Sequence, residues 1–194
     1  MARLTIGDVV LSLWESLHER AAIKPGSTRA SRFASFGSKS IICFPPQVLF
    51  NEHAIVIGQN TAIGPHCSLT VGMAPGQELI APEILRIGDR CVIGRGCSIA
   101  AHLDIEIGDD VFFGPNVFVT DQNHANTDQN APIGKQLQAE RAVKIGSRSW
   151  LGTGVVVTPG VTIGEGVMVG ANSVVTRDLP DGCVAAGAPA KVLA

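Results

Sequence analysis

The chain has 194 residues, of which 45% are hydrophobic and 16% charged, a balance that predicts one folded domain and excludes the disordered class. Its formal net charge of -2, with no dense Lys/Arg cluster, argues against general binding to nucleic acid or to an anionic membrane. No stretch approaches 18 consecutive apolar residues and the first residues lack the pattern of a secretory signal, so we expect a cytoplasmic location.

The use of glycine, proline and cysteine favours a β-rich chain. Twenty-two glycines, 11 prolines and many Val and Ile residues predict short strands separated by turns. The five cysteines form no C-x-x-C pair, and their odd number argues against a disulfide framework, so we expect small buried side chains. These cysteines are Cys43, Cys67, Cys91, Cys97 and Cys183.

Residues 5 to 24 are the one segment with helical spacing. Thr5 or Asp8 can cap its start, and Lys24-Pro25-Gly26 would end it. We expect this helix to cover the open end of a repeat, with Trp14 as its anchor in the core. Residues 1–36 are therefore predicted to be a helix and a linker, and residues 37–194 a repeat domain. The apolar positions at helical spacing are Val9, Val10, Leu13, Trp14 and Leu17.

A six-residue apolar repeat dominates the rest of the chain. Three hexapeptides make one triangular coil whose short strands stack on the coils above and below. We predict six such coils, which at about 4.8 Å per coil form a prism roughly 29 Å long. The repeat positions are Ile57, Ile63 and Leu69; Ile87, Ile93 and Ile99; Ile107, Phe113 and Val119; Ile145, Leu151, Val157, Ile163, Val169 and Val175; and a weaker set at Gly37, Cys43 and Leu49.

The repeat is interrupted between coils. Ile99 and Ile107 are eight residues apart, which we take as the plain step. Leu69 to Ile87 is instead eighteen residues, and Val119 to Ile145 is twenty-six. The excess predicts two loops that leave corners of the prism. The longer loop begins with V-T-D-Q-N-H, so it carries a histidine, His124, in a polar segment.

Five motifs occur in order along the chain: V-T-D-Q-N-H at 119–124, P-I at 132–133, V-K-I-G-S-R-S-W-L-G-T-G at 143–154, V-G-A-N-S-V-V-T-R-D-L-P at 169–180 and G-A-P-A-K at 187–191. Together they resemble the hexapeptide-repeat acyltransferases, specifically their sugar O-acetyltransferase branch. The resemblance implies an all-β fold, a left-handed parallel β-helix. It also implies a homotrimer with active sites between subunits, an acyl-CoA bound along the prism, and transfer of its acyl group to a hydroxyl or an amine.

The resemblance assigns the role of general base to His124. A hydroxyl is a poor nucleophile until its proton leaves, and an imidazole can accept that proton near neutral pH. We expect direct transfer in a ternary complex, with a backbone N–H or Thr153 donating to the developing oxyanion. The alternative is an ordinary solvent-facing loop histidine.

Three further residues are candidate acceptor contacts. Asp121 and Asn123 flank His124 and could orient its imidazole or bind acceptor hydroxyls, although both are common turn residues. His102 lies one coil earlier on the same side, with its backbone roughly 8 Å from that of His124. The family pattern usually has an acidic acceptor-binding residue at this place, so the acceptor is where this chain departs from its relatives.

The resemblance also places seven residues along acyl-CoA. A tryptophan beside the pantetheine arm matches Trp150, for which packing at a trimer contact is an equal alternative. Small residues along the arm could equally be turn residues of the repeat. Basic residues near the CoA phosphates could equally be surface charges. The complete set is Trp150, Gly152, Thr153, Gly170, Ala171, Arg177 and Lys191.

Other chemistries on this fold receive less support. A zinc carbonic anhydrase needs three converging imidazoles, but His53 and His66 lie in earlier coils and His18 in the predicted helix, so we predict no metal. A non-catalytic assembly module would not need a polar loop with a histidine. Acetyl is the simplest acyl group, while succinyl and other donors, and an amine acceptor as on an amino sugar, stay open.

Overall fold

The computed structural model describes residues 4–193, which form one α-helix and twenty short strands. The helix α1 spans Ile6–Ala21. The strands are β1 Ser35–Phe36, β2 Ile41–Ile42, β3 Val48–Phe50, β4 Ile55–Ile57, β5 Ala62–Ile63, β6 Ser68–Val71, β7 Leu85–Ile87, β8 Val92–Ile93, β9 Ser98–Ala101, β10 Ile105–Ile107, β11 Phe112–Phe113, β12 Phe118–Thr120, β13 Val143–Ile145, β14 Trp150–Leu151, β15 Val156–Val157, β16 Thr162–Ile163, β17 Met168–Val169, β18 Val174–Val175, β19 Val184–Gly187 and β20 Ala190–Val192.

The strands stack into three parallel sheets, which are the faces of a prism. Face 1 has the order β1-β4-β7-β10-β13-β16, face 2 has β2-β5-β8-β11-β14-β17-β19-β20, and face 3 has β18-β15-β12-β9-β6-β3. Each coil contributes one strand to each face, so there are six full coils, as predicted. The fold is a left-handed parallel β-helix. At the far end β20 pairs antiparallel with β19 and closes face 2.

The repeat positions form the core because every sixth side chain points inward. From the second coil onward, the predicted apolar residues are at most 1% exposed. Small polar side chains also point inward and bond to the next coil: the Thr61 hydroxyl donates to the Gly88 carbonyl at 2.7 Å. The Cys67 thiol donates in the same way to the Gly94 carbonyl at 3.1 Å. Four of the five cysteines are buried as expected, while Cys43 is half-buried.

The first coil differs from the predicted register. Phe36 and Ile42, not Gly37 and Cys43, align with the inward residues Ile57 and Ile63 of the next coil. Leu49 does align with its predicted partner Leu69. The turn that precedes Leu49 has one residue more than the corresponding turns below it, which shifts the earlier positions by one. The first coil therefore begins at Ser35, inside the segment predicted to be a linker.

Helix α1 forms as predicted, but its apolar face is not covered by the prism. Thr5 and Asp8 act together at its start, because the Thr5 hydroxyl accepts from the Asp8 amide and the Asp8 carboxylate accepts from the Thr5 amide. No residue of α1 is buried, and Trp14 is 57% exposed. The prediction that Trp14 anchors the core is therefore wrong: its ring stacks on His18, which in turn meets Phe44 edge-on. No helix among residues 4–193 is long and apolar enough to cross a membrane.

Both predicted loops leave the prism at the corner between face 3 and face 1, which we call the 3–1 corner. Residues 72–84 connect β6 to β7, and residues 121–142 connect β12 to β13. Between them, the plain corner of residues 102–104 connects β9 to β10. The buried Asn51 holds the shorter loop, since its amide donates to the carbonyls of Val71 and Ala74. The 3–1 corner thus brings two loops and the His102 corner together.

Candidate active site

His124 lies on the outgoing limb of the longer loop, which folds back on itself as an arm (residues 122–142). His124 and Leu137 form an antiparallel bridge across the two limbs. The Gln138 amide donates to the Asn123 carbonyl at 2.9 Å, and the His124 amide donates to the Asn123 side-chain oxygen at 2.8 Å. The imidazole is exposed, so backbone pairing fixes where His124 stands while its ring faces solvent.

A glutamine side chain organises the tip of the arm. The Gln136 oxygen accepts from the amides of Thr127 and Asp128, and its NH2 group donates to the carbonyls of Asp128 and Ala131. These bonds satisfy backbone groups that no strand pairs. The arm is therefore an ordered support for His124.

His124 closes one end of a groove of about 360 Å³ on face 3. The floor is apolar, with Phe118 and Val156 as outward residues of adjacent strands in register. Hydroxyl and amide groups stand beside the base. The lining residues are Ala100, Phe118, Thr120, Gln122, Asn123, His124, Val156, Thr158 and Pro159. An apolar floor with a few polar groups at one end is the usual composition of a small-molecule site.

His102 lies at the neighbouring corner and pairs with the returning limb of the arm. Its Nδ1 atom is 3.4 Å from a carboxylate oxygen of Glu140, and its side chain is only 12% exposed. His102 does not line the groove of His124. Its predicted acceptor role stays a prediction, and Glu140 is a partner that the sequence did not indicate.

Asp121 and Asn123 have different positions beside the base. Asn123 is exposed and lines the groove, where it is free to meet an acceptor. Asp121 is 0% exposed, and its carboxylate accepts from the backbone amides of His102, Leu103 and Asp104. A carboxylate in this position presents no surface to an acceptor in the single chain.

The small residues predicted to line the acyl-CoA arm stack at the corner between face 2 and face 3. A Cβ atom added to Gly152 would lie 2.7 Å from the backbone nitrogen of Ala171, and one added to Gly170 would lie 3.0 Å from the Cβ of Ala186. The close stacking of the coils thus explains on structural grounds why glycine occupies both positions. Thr153 and Ala171 are exposed at the same corner, and acyl-CoA binding there stays a prediction.

The other three predicted acyl-CoA residues are dispersed. Trp150 points outward on face 2, between Phe112 and Met168. Arg177 follows β18 at the 3–1 corner, and Lys191 lies opposite Ala186 in the terminal pair of strands. Both side chains are exposed.

Within one chain, His124 is therefore separated from the small residues predicted to line acyl-CoA, which lie on the other edge of face 3. His124 is at the 3–1 edge, and Gly152 and Thr153 are at the opposite edge. The edges are separated by about six residues, or roughly 20 Å.

The groove floor could have been found by the alternation of the strands. Phe118 precedes the inward Val119 and Val156 precedes the inward Val157, so both must point outward on the face that leads to the loop. For the groove, the prediction overlooked that these outward side chains next to the histidine are apolar. Among residues 4–193, no group of three His, Cys, Asp or Glu side chains is placed to hold a metal ion.

Comparisons with known proteins identify the family of the repeat. Two family models match: bacterial transferase hexapeptide (six repeats) over residues 142–177, and hexapeptide repeat of succinyl-transferase over residues 84–121. A putative lipopolysaccharide biosynthesis O-acetyl transferase of Escherichia coli is 34% identical over 160 residues, which are 79% of this chain and 77% of the relative. The galactoside O-acetyltransferase of Escherichia coli is 30% identical over 75% of this chain and 66% of its own length.

Two further comparisons define the extent of the likeness. A probable acetyltransferase of Mycobacterium tuberculosis is 42% identical over 56% of this chain, which spans only 36% of that relative. The N-acyltransferase AntD from Bacillus cereus, solved with dTDP and 3-hydroxybutyryl-CoA, has a TM-score of 0.72 at 24% identity. That likeness covers 85% of this chain and 84% of AntD, and it concerns the fold. On these comparisons, the chain belongs to the hexapeptide-repeat acyltransferase family, in its sugar O-acetyltransferase branch.

Proposed function

We propose that this chain transfers an acyl group, most simply acetyl, from acyl-CoA to a hydroxyl of a sugar, oligosaccharide or polysaccharide. The observation that carries the proposal is His124, an exposed imidazole on an ordered arm at the end of the groove on face 3. Relatives named for lipopolysaccharide biosynthesis and for galactosides support a saccharide acceptor.

The chemistry requires one base and no covalent intermediate. His124 accepts the proton of the acceptor hydroxyl as its oxygen attacks the thioester carbonyl carbon. The tetrahedral intermediate collapses, the C–S bond breaks, and the imidazolium returns the proton to the CoA sulfur. A backbone N–H beside the groove, or Thr153 supplied from the acyl-CoA edge of a second copy, would stabilise the oxyanion.

The homotrimer is part of the proposal. Face 2 exposes an apolar ladder in which adjacent strands align Val92, Phe112, Trp150 and Met168. These side chains are 38% to 48% exposed and adjoin one another. A contiguous exposed apolar patch of this kind marks a protein–protein contact. If the arm of one copy packs against the ladder of the next, the acyl-CoA edge of that next copy, which borders its face 2, comes towards His124, which supports a site shared between chains. The cytoplasmic location expected from the sequence stays a prediction.

CoA thiol release tests the activity directly. Acetyl-CoA and succinyl-CoA are each combined with neutral saccharides, amino sugars and no acceptor, and wild type is compared with His124→Ala. His53→Ala is the control, because His53 is also exposed at the 3–1 corner but in an earlier coil. We expect acetyl transfer to a saccharide, a loss of at least 100-fold in His124→Ala and none in His53→Ala.

The other outcomes separate the alternatives. Unchanged turnover in His124→Ala would refute the base. Faster transfer to the amino group of an amino sugar would favour N-acylation, for which AntD is the structural precedent. Absence of thiol release with every donor would favour a non-catalytic assembly module.

A further inference from the structure

The carboxylate of Asp121 joins two consecutive coils below the arm. One oxygen accepts from the amides of Leu103 and Asp104, both at 2.8 Å, and the other accepts from the His102 amide at 2.8 Å. Three consecutive backbone donors thus converge on one buried side chain. The backbone amides of the corner that carries His102 are therefore held by Asp121 and not by strand pairing.

The backbone of Asp121 holds the arm at the same time. Its carbonyl accepts from the Arg141 amide at 2.9 Å, which fixes the returning limb where it rejoins the prism. The outgoing limb leaves directly after Asp121 and reaches His124 three residues later. One residue therefore connects the His102 corner to both limbs of the arm.

The contacts require an acceptor-only group. A carboxylate offers two oxygens and no hydrogen, whereas an asparagine amide would turn an NH2 group towards backbone N–H donors. At a position that is 0% exposed, water cannot replace the lost bonds. Asn123, two residues later and exposed, is under no such constraint.

We propose that Asp121 is a positioning residue for the transfer reaction. It fixes the position of the base His124 relative to the corner that carries His102. This inference rests on the proposed function. Asp121 itself does not touch the reactants: it acts through the backbone of residues 102–104 and through the root of the arm. The consequence is that its loss should disturb catalysis more than it disturbs acyl-CoA binding.

The test combines hydrogen exchange with kinetics on Asp121→Asn. Thr61→Val is the matched control, since Thr61 is 1% exposed and its hydroxyl also joins two coils, accepting from Cys91 and donating to Gly88, but at the corner between faces 1 and 2. Asp121→Ser, which is smaller and keeps one acceptor, is the second variant should the asparagine variant not fold. Circular dichroism confirms folding before either measurement.

We expect exchange in peptides containing residues 102–104 to accelerate about tenfold or more in Asp121→Asn and to stay at the wild-type rate in Thr61→Val. kcat should fall about 100-fold, the usual effect of a displacement near 1 Å, with KM for acyl-CoA within threefold of wild type.

Three results would overturn the inference: unchanged exchange, faster exchange with wild-type kcat, or an equal loss of kcat in Thr61→Val. A wild-type chain inactive with every donor and acceptor would refute the proposed function and the catalytic half of this inference. The exchange measurement would still decide whether Asp121 holds the corner.

Discussion

Nδ1 of His102 lies 3.4 Å from the carboxylate of Glu140, a residue 38 positions later in the chain. The pair joins the corner of one coil to the returning limb of the arm that carries His124. A side chain held in this way can present its second ring nitrogen to a bound acceptor. We therefore expect the pair to act on acceptor affinity.

Loss of the pair should raise KM for the acceptor. In Glu140→Gln and in His102→Ala we expect an increase of about tenfold, equivalent to ~1.4 kcal/mol, with little change in KM for acyl-CoA. Steady-state kinetics with each substrate varied in turn measures both constants. Glu165→Gln is the control, because Glu165 pairs with Arg148 at the corner between faces 1 and 2. An increase confined to KM for acyl-CoA would assign the pair to the donor side instead.

The inward positions could be predicted because a six-residue period directly encodes which side chains form the core. Where the period acquires one extra residue, before Leu49, the predicted register of the first coil was wrong. The uncovered face of α1 shows a second limit: amphipathic spacing indicates that a helix face is apolar, not what covers it. Trp14 was misplaced for that reason.

The site was predictable to the extent that a motif marks it. The interruption of the repeat located the loop of His124, but the path of a loop outside the period is set by tertiary contacts. Glu140 was missed because nothing in its spacing brings it to His102. For Asp121 the sequence left open an orienting role, an acceptor contact or a turn residue; it could not indicate that three backbone amides of the preceding coil bond to its buried carboxylate.

Substituting a glycine at the corner between faces 2 and 3 distinguishes a role in stability from a role in acyl-CoA binding. In Gly152→Ala the new Cβ would meet backbone atoms of Ala171, so we expect a loss of about 1–3 kcal/mol and a Tm lower by roughly 5 °C. Gly134→Ala, where nothing lies within 4 Å, should leave Tm unchanged. Scanning calorimetry measures both. A normal Tm with lost acyl-CoA binding would favour direct contact with the donor.

Acid should weaken one ion pair on the prism edge. The pKa of Asp110 is lowered by its hydrogen bond with the guanidinium of Arg90, at 2.8 Å. Because the folded pKa lies below the unfolded value near 3.9, this pair stabilises the fold above that value and loses its effect as pH falls through the folded pKa. Asparagine retains the left-handed backbone of position 110, with φ near 57°, so Asp110→Asn removes the charge and one of the two guanidinium hydrogen bonds without straining the chain.

Urea unfolding of both chains at several pH values measures the effect. We expect Asp110→Asn to be less stable than wild type at pH 7, and the difference to shrink as the pH is lowered below about 4. A difference that persists unchanged in acid would mean that the ion pair is not its source.

The apolar ladder of face 2 should determine assembly. Replacing the outward Phe112, 48% exposed, by serine removes the centre of the ladder and should shift the chain from a trimer to the 20.2 kDa monomer. Sedimentation velocity measures the mass of each form. Val56→Ser is the control, since Val56 points outward on face 1, where the aligned neighbour in the next coil is the charged Arg86.

If the site is shared between chains, Phe112→Ser should also lose turnover at concentrations where it is monomeric, and regain part of it when concentrated. A monomeric wild-type chain with full activity would refute both the trimer and the shared site.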